Sequence, residues 1–525
     1  MKKGLILFLF GCFLTPLSMR AQNAAAHNHL QCGTSMETQA ASYRDMVELR
    51  NRYPNVTASR AVSYIPVWFH MVAKSDGTGR TTQANVAEML CAWNKIYEDN
   101  GLEMQFYIKG FSEINLDALY NGPQSFGGTN RMITTKKTDA MNIYLTNNAG
   151  DGTGTGTVLA YYSNGDGNYS YDWIVCSNSQ VNAGNAHTIA HEAGHMFTLP
   201  HTFYGWETTE YPTAAAPCAP ATVAYNGRAI QVEKVARMGA SSNCSVAADG
   251  FCDTPEDYNL GFGWGGGCSW SGIVKDPDCV AVNPDETNIM GYFLNCLSKF
   301  STEQKSAMRT NLLNHPRRAY LRNASIPLLT GSTPSLVSPA VGSTTNFFNN
   351  VQFDWADVPG AISYTIEVSR FTSFGTGTKI QVVTTSDANF NANNAAGLWV
   401  SGVRYYWRVK AVVPYKNCDN VSLTGNFTTG TLNATNEIAG VSHFGVSPNP
   451  LSKAQNLSLE MNSDNAFDAR VKLYNITGQL MQTENRRFAA GFSVQSLSVS
   501  NMANGTYILT VESEKGVLNK RVVVQ

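Results

Sequence analysis

The sequence predicts a mixed α and β domain followed by two all-β sandwich domains. Three observations carry this. Between residues 60 and 200, strand-like apolar runs alternate with segments of helical periodicity. Between 202 and 287 the periodicity fades into a stretch rich in Gly, Pro, Asp and Cys, as expected of a loop-rich lobe held by bridges and ions. Past a Ser/Thr/Pro-rich connector at 325–339, only short alternating strands separated by turn residues remain. A chain of 525 residues also exceeds what one hydrophobic core supports. Its 43% hydrophobic content suffices for ordinary cores, and 15% charged residues is low against a typical value of about 25%. A formal net charge of −1 supplies no field to attract nucleic acid or an acidic membrane surface, so neither is expected as a partner.

Taken in order, Lys2 and Lys3, the apolar run from Leu5 to Leu14 and the small residue Ala21 read as a signal peptide over 1–21. The apolar run is shorter than the ~20 residues a membrane-spanning helix needs, and no later segment qualifies. Export places the remaining cysteines in an oxidising compartment, where they are expected to form bridges. Residues 22–59 are polar and read as a propeptide with a helix over 36–51 and a cut near Ser59 and Arg60. Ile65, Val67, Trp68 and Phe69 mark a buried strand over 64–72. Val86, Met89, Leu90, Trp93 and Tyr97 recur at helical spacing over 82–100. Further strands are expected over 104–108, 141–145 and 172–176, and a helix over 186–197. The two later domains, over 333–430 and 441–525, show strand patterns such as 351–355, 363–369, 379–384 and 404–412, then 471–474 and 505–511.

Chemistry concentrates in the last of those helices. His191-Glu192-Ala193-Gly194-His195 sets two imidazoles four residues apart, on one helical face, where both reach a single zinc ion. Glu192 is rotated away from that face and can lie beside a zinc-bound water, whose pKa near 7 lets a carboxylate take its proton. His201 follows beyond the helix-ending Pro200, where the chain can turn back to supply a third ligand. His187 reads as a packing or solvated residue, because a catalytic zinc keeps one position open. The plainer reading of the five-residue string is an amphipathic core helix with hydrogen-bonded histidines.

With Thr202-Phe203 after it, the string from His191 to His201 resembles the zinc consensus of the metzincins, and within them of the pappalysin family. The resemblance extends over 60–322. It implies an α+β metzincin-like catalytic domain, a mixed twisted sheet with an active-site helix. The implied activity is that of a zinc-dependent endopeptidase on protein or peptide substrates, with Glu192 as general base. Asn288-Ile289-Met290-Gly291-Tyr292 resembles the family's Met-turn, which implies Met290 as an apolar floor beneath the zinc and Tyr292 as an oxyanion stabiliser. The family has Gly where this chain has Thr198, and an acidic specificity residue where the best match here is the neutral Asn295. Preference for Arg or Lys after the scissile bond is therefore expected to be weakened. Asp249, Asp253 and Thr254 resemble a calcium-binding loop of these enzymes, although a turn rich in Asp and Gly reads the same way. By the same resemblance Cys252 pairs with Cys279 and Cys268 with Cys296. Cys218 with Cys244 and Cys91 with Cys176 are local expectations, leaving Cys418 as a free thiol. Cys32-Gly33-Thr34 resembles the leader of pappalysin-like proenzymes, which implies that the Cys32 thiolate occupies the open zinc position in a latent precursor.

Trp355 with Tyr405 and Trp407 resembles a fibronectin type III module. Val446-Ser447-Pro448-Asn449-Pro450, Leu473-Tyr474-Asn475-Ile476-Thr477-Gly478 and Asn504-Gly505-Thr506-Tyr507 resemble the type A sorting domain of the type IX (Por) secretion system. That implies passage across an outer membrane with the secretion machinery as partner, then release or attachment at the cell surface. A competing function is a surface adhesin or binding protein with a vestigial zinc site. An intact Glu192 beside three histidines favours the enzyme, because a structural zinc needs no base.

Overall fold

The computed structural model describes residues 31–54, 61–150, 158–165, 167, 171–208, 211, 218–322, 333–348, 350–375, 379–393, 399–415, 417–418, 420–430, 438, 440–513 and 516–525. The signal peptide expected at 1–21, the cut expected near Ser59 and Arg60, and residues 325–332 of the connector expected at 325–339 lie outside them. The described residues fall into two compact units, one within 1–81 and 92–324, the other within 82–91 and 325–525. Among them, no helix is long and apolar enough to cross a membrane.

In chain order the first elements are β1 (Gln31–Cys32), α1 (Met36–Arg52), β2 (Ser63–Ala73), α2 (Gln83–Asp99) and β3 (Met104–Asn115). They are followed by α3 (Asp117–Asn121), α4 (Phe126–Thr135), β4 (Met141–Thr146), β5 (Val158–Ser163), β6 (Trp173–Ser177), α5 (Ala186–Met196) and, after a long lobe, α6 (Thr302–Asn314). The six strands form one mixed sheet in the order β1-β5-β6-β4-β2-β3. β2, β3, β4 and β6 are parallel, and β5 turns antiparallel against β6. Every residue of β4 and β6 is buried, which is why both read as continuous apolar runs. α5 packs on β5 and β6, so the sheet edge and the histidine helix meet on one side.

β1 closes the sheet as a parallel neighbour of β5, pairing Gln31 with Val158 and Cys32 with Ala160. Two residues are too few for a sequence pattern, and β5 follows a Gly/Thr-rich stretch, so neither strand was legible by alternation. α6 escaped notice for another reason. Its buried face carries Gln304, Arg309 and Asn311, and its start is fixed by a capping box between Ser301 and Gln304.

The lobe between α5 and α6 has its own core around Phe203, Trp206, Tyr258 and Phe293, with a hairpin of Thr222–Tyr225 and Arg228–Gln231. Its bridges are Cys218–Cys279, Cys244–Cys252 and Cys268–Cys296. The expected pairings of Cys252 with Cys279 and of Cys218 with Cys244 are thereby corrected. The chain folds back through positive φ at Ala248 and Gly250, which brings Cys252 onto Cys244 eight residues earlier. Cys91 pairs with Cys418, not Cys176, and Cys418 is no free thiol. Cys176 stays reduced because it sits fully buried at the centre of the sheet on β6.

In the second unit, Phe353, Trp355, Trp407 and Phe427 form the core between a five-stranded and a three-stranded sheet. Residues 438–525 add sheets of three and four strands closed over Leu457, Leu459, Met461, Val471, Leu509 and Val522. Alternation along Phe467–Asn475 places Phe467, Ala469, Val471 and Leu473 in that core.

Candidate functional site

α5 delivers His191, Glu192 and His195 to the base of a cleft, each at most 4% exposed, and the following loop returns His201 beside them. Nε2 of His195 stands 3.1 Å from Nε2 of His191 and 3.2 Å from Nε2 of His201. The opposite ring nitrogens are all committed. Nδ1 of His191 donates to the Ile289 carbonyl at 2.7 Å, and Nδ1 of His195 to the Leu199 carbonyl at 2.8 Å. Nδ1 of His201 pairs with Glu207 Oε1 at 3.2 Å, a carboxyl that burial pushes up to about 8. A carbonyl only accepts, so Nδ1 of His191 and of His195 carries the proton and their Nε2 atoms present bare lone pairs. Burial also holds His191 and His201 at about 3 and His195 well below its usual value, so none carries a positive charge near neutral pH. Two facing lone pairs repel unless a cation sits between them. Bonds of about 2.0–2.1 Å to a tetrahedral centre place ligand atoms roughly 3.3 Å apart, close to the spacing found.

Cys32 completes the cluster. Its sulfur and the three histidine nitrogens lie within 4.8 Å of one another, a group able to hold a metal ion. It arrives on the leader, which continues past β1 along the edge of β5: Gly33 N donates to the Ala160 carbonyl, and Tyr162 N donates to Thr34 Oγ1 at 3.0 Å. A side chain at Gly33 would lie 2.6 Å from Val158, so only glycine passes there. Glu192 faces the same segment, accepting from Thr34 Oγ1 at 3.1 Å with the Cys32 sulfur 3.6 Å away. Burial pushes its carboxyl up to about 8, against the two leader hydrogen bonds.

Beneath the histidines lies the turn at 288–292. Asn288 fixes it by accepting from Met290 N at 2.9 Å and by bonding Gln304 of α6. Met290 is fully buried, and a Cβ on Gly194 would meet its sulfur at 2.5 Å, so the smallest residue of the histidine motif lets helix and turn touch. The Tyr292 ring lies 5.1 Å from that of His201, and its hydroxyl donates to the Cys32 carbonyl at 3.5 Å. Next to it opens a cleft of 360 Å³, lined by Phe262, Trp264, Tyr292, Leu294 and Asn295 among others, all uncharged.

Thr198 adopts φ of +87° at the end of α5, where a β-branched residue costs about 1–2 kcal/mol. Of the three residues expected to bind calcium, Asp249 and Thr254 come together, with Thr254 Oγ1 donating to Asp249 at 2.9 Å. Asp253 does not join them. Its carboxylate accepts from Ser301 Oγ at 2.6 Å and Glu303 N at 2.8 Å, at the start of α6. Near Asp249 lies Glu233: it is fully buried, burial and then the Asp249 charge hold its carboxyl well above its usual range, Oε1 pairs with Arg237, and Oε2 has no hydrogen-bond partner. A lone carboxylate 16 residues before Asp249 carries no motif, so the sequence did not mark Glu233.

Comparison with known proteins agrees with parts of this picture. Residues 445–525 match the family model of the Por secretion system C-terminal sorting domain. An extracellular metalloprotease of Neurospora crassa is 27% identical over 163 residues, covering 29% of this chain and 54% of the relative. One from Colletotrichum graminicola is 26% identical over 156 residues, covering 28% and 55%. The chain thus spans about half the length of the curated relatives it matches. Among solved structures, the chicken CNTN1 FN1–FN3 domains align with 37% of this chain and 69% of that chain at 14% identity, with a TM-score of 0.17, too low to carry an assignment. The sorting domain makes this a protein exported by type IX secretion, whose machinery it engages, to the extracellular space or the cell surface.

Proposed function

We propose that the protein is a zinc-dependent endopeptidase of the metzincin class and the pappalysin family, made as a latent precursor. The observation that carries this is the convergence of three histidine Nε2 atoms beside a buried carboxylate. His191, His195 and His201 would hold the zinc, which supplies a Lewis acid for the scissile carbonyl and acidifies water. Glu192 accepts the proton of the attacking water at its carboxylate and passes it to the departing amine. The Tyr292 hydroxyl donates to the developing oxyanion, a role supported by its present bond to a peptide carbonyl, that of Cys32. β5 offers its free edge to a substrate strand once β1 leaves.

Latency follows from the leader's position: Cys32 lies over the three nitrogens and Thr34 binds the base. The uncharged cleft that holds Asn295 supports a neutral side chain after the scissile bond. A calcium ion would be held by Asp249, Thr254 and Glu233, with Asp253 as a helix cap, because an unpartnered buried carboxylate oxygen fits a hard cation.

The test is metal content and peptide hydrolysis of the exported chain after leader cleavage. Glu192→Ala should keep one zinc per chain and lose hydrolysis by about 10²–10⁴. His201→Ala should lose both zinc and activity. Hydrolysis by the Glu192→Ala protein at the wild-type rate, or no zinc in the folded wild type, would falsify the assignment.

A further inference from the structure

The segment from His195 to His201 contains a residue that the proposed reaction leaves unused. Thr198, 3% exposed, sits in the left-handed position that normally calls for glycine. Its hydroxyl reaches out of its own loop: Oγ1 donates to the carbonyl of Ser42, in the middle of α1, at 2.7 Å. Its backbone is tied to the histidines. Thr198 N donates to the His195 carbonyl, and the carbonyl of the next residue, Leu199, holds Nδ1 of His195. α1 is held nearby through Arg50, which donates to the Gly250 and Ser245 carbonyls, and through Tyr43 stacked on Tyr204 with centroids 5.0 Å apart.

We propose that Thr198 is a positioning residue that couples the leader helix to the geometry of the His195–His201 segment. The inference rests on the reading of these histidines as metal ligands. With the leader bound, the Ser42 carbonyl holds the hydroxyl and the strained turn is kept. When the leader departs, the strain has no counterweight; the turn relaxes, carrying the Leu199 carbonyl and the His195 ring with it. The histidines then grip metal less tightly, and by reciprocity metal makes the leader bind more tightly. This contact is separate from the Cys32 thiol, 10 residues earlier in the leader.

The experiment uses the full chain in a Cys32→Ala background, so that no thiol contributes to the coupling, cut at a protease site engineered into 55–60. The affinity of the released leader for the body is measured with zinc and with chelator. Against the parent, Thr198→Ser should bind the leader within about threefold and Thr198→Val about tenfold more weakly, as for a lost buried hydrogen bond. Zinc should tighten leader binding about tenfold in the parent and less than twofold in Thr198→Gly, whose turn is unstrained. Leader-free Thr198→Gly should also retain zinc against chelator about tenfold longer than the parent. Equal leader affinity in the parent and Thr198→Val, or equal zinc dependence in the parent and Thr198→Gly, overturns the proposal. Absence of zinc from every form overturns it together with the metallopeptidase reading. Bound zinc without the coupling overturns it alone.

Discussion

Residues 31–54 contribute a two-residue strand and one helix whose buried face includes Thr38, Gln39 and Ser42 as well as Met46 and Leu49. At the other end of the chain, residues 438–525 bury Leu457, Leu459, Met461, Leu509 and Val511 against one another in a core of their own. The first segment is ordered by what it lies against: a sheet edge, the Thr198 hydroxyl and the carbonyls at 245 and 250. The second is ordered by itself. A segment that borrows its order reports on the surface it covers, whereas a segment with its own core serves as a detachable label. That contrast fits the proposed inhibitory leader at one end and the secretion signal at the other.

The largest expected effect tests whether the histidine unit and the C-terminal sandwich melt separately. Arg318 pairs with Asp172 at 2.8 Å and donates to the Met196 carbonyl at the end of α5, all of it buried. Arg318→Met strands a buried carboxylate and should destabilise the histidine unit by about 3–5 kcal/mol, with the C-terminal transition unmoved in calorimetry. One joint shift would contradict the autonomy of residues 438–525. The pair also predicts a pH dependence. Burial alone would raise the Asp172 carboxyl, but the Arg318 guanidinium overrides it and holds it below its usual value. Its stabilisation is therefore complete above the ordinary carboxylate range near 4 and is lost as pH falls through the lower folded value.

Next in size is the response to removing each end. If the leader vacates the site in about one molecule in a hundred, its removal raises hydrolysis on the order of a hundredfold. Removing 438–525 should change the rate by less than about twofold, measured on one peptide under identical zinc, since a segment with its own core adds no transition-state contact. Comparable changes from both deletions would erase the distinction between them.

Leu459→Ala, in the centre of the C-terminal core, should cost that sandwich about 2 kcal/mol or more and leave peptide hydrolysis unchanged. A parallel loss of turnover would show that the core is not self-sufficient. The smallest effect concerns what replaces the leader. Asn295→Asp places a charge in the uncharged cleft and should shift kcat/KM toward Arg or Lys after the scissile bond by about tenfold, read from competing peptides. No shift would place the specificity elsewhere.

The elements legible in the sequence are those whose periodicity was made by apolar burial. The expected strand over 64–72 is β2, and the expected helix over 82–100 is α2. His191, His195 and His201 were legible through spacing, because an i, i+4 pair and a post-helix histidine have few other uses. What escaped was held by polar contacts or by partners distant in sequence. Glu207, readable as an alternative third ligand, lies instead behind His201 on its Nδ1, Glu233 beside Asp249 belongs to no motif, and α6 is bound through Gln304 and Asn311. The bridges were misassigned because sequence separation says nothing of a reversal such as that at Ala248 and Gly250. Thr198 could be marked as a departure from a family glycine, but its bond to Ser42 lies 156 residues away and needed coordinates.

Cys176 carries a consequence for assembly. With Cys32 it is one of two free thiols among the described residues, beside eight bonded cysteines. Nothing chemical protects it except the sheet: burial, and then the nearby Glu192 charge, raise its pKa far above that of a free thiol, and no solvent reaches it. Before β6 is covered, that thiol competes with the correct partners of every bridge. The sheet must therefore close before oxidation is complete, and the order of these two events, rather than the final stability, decides how much of the exported chain reaches its native pairing.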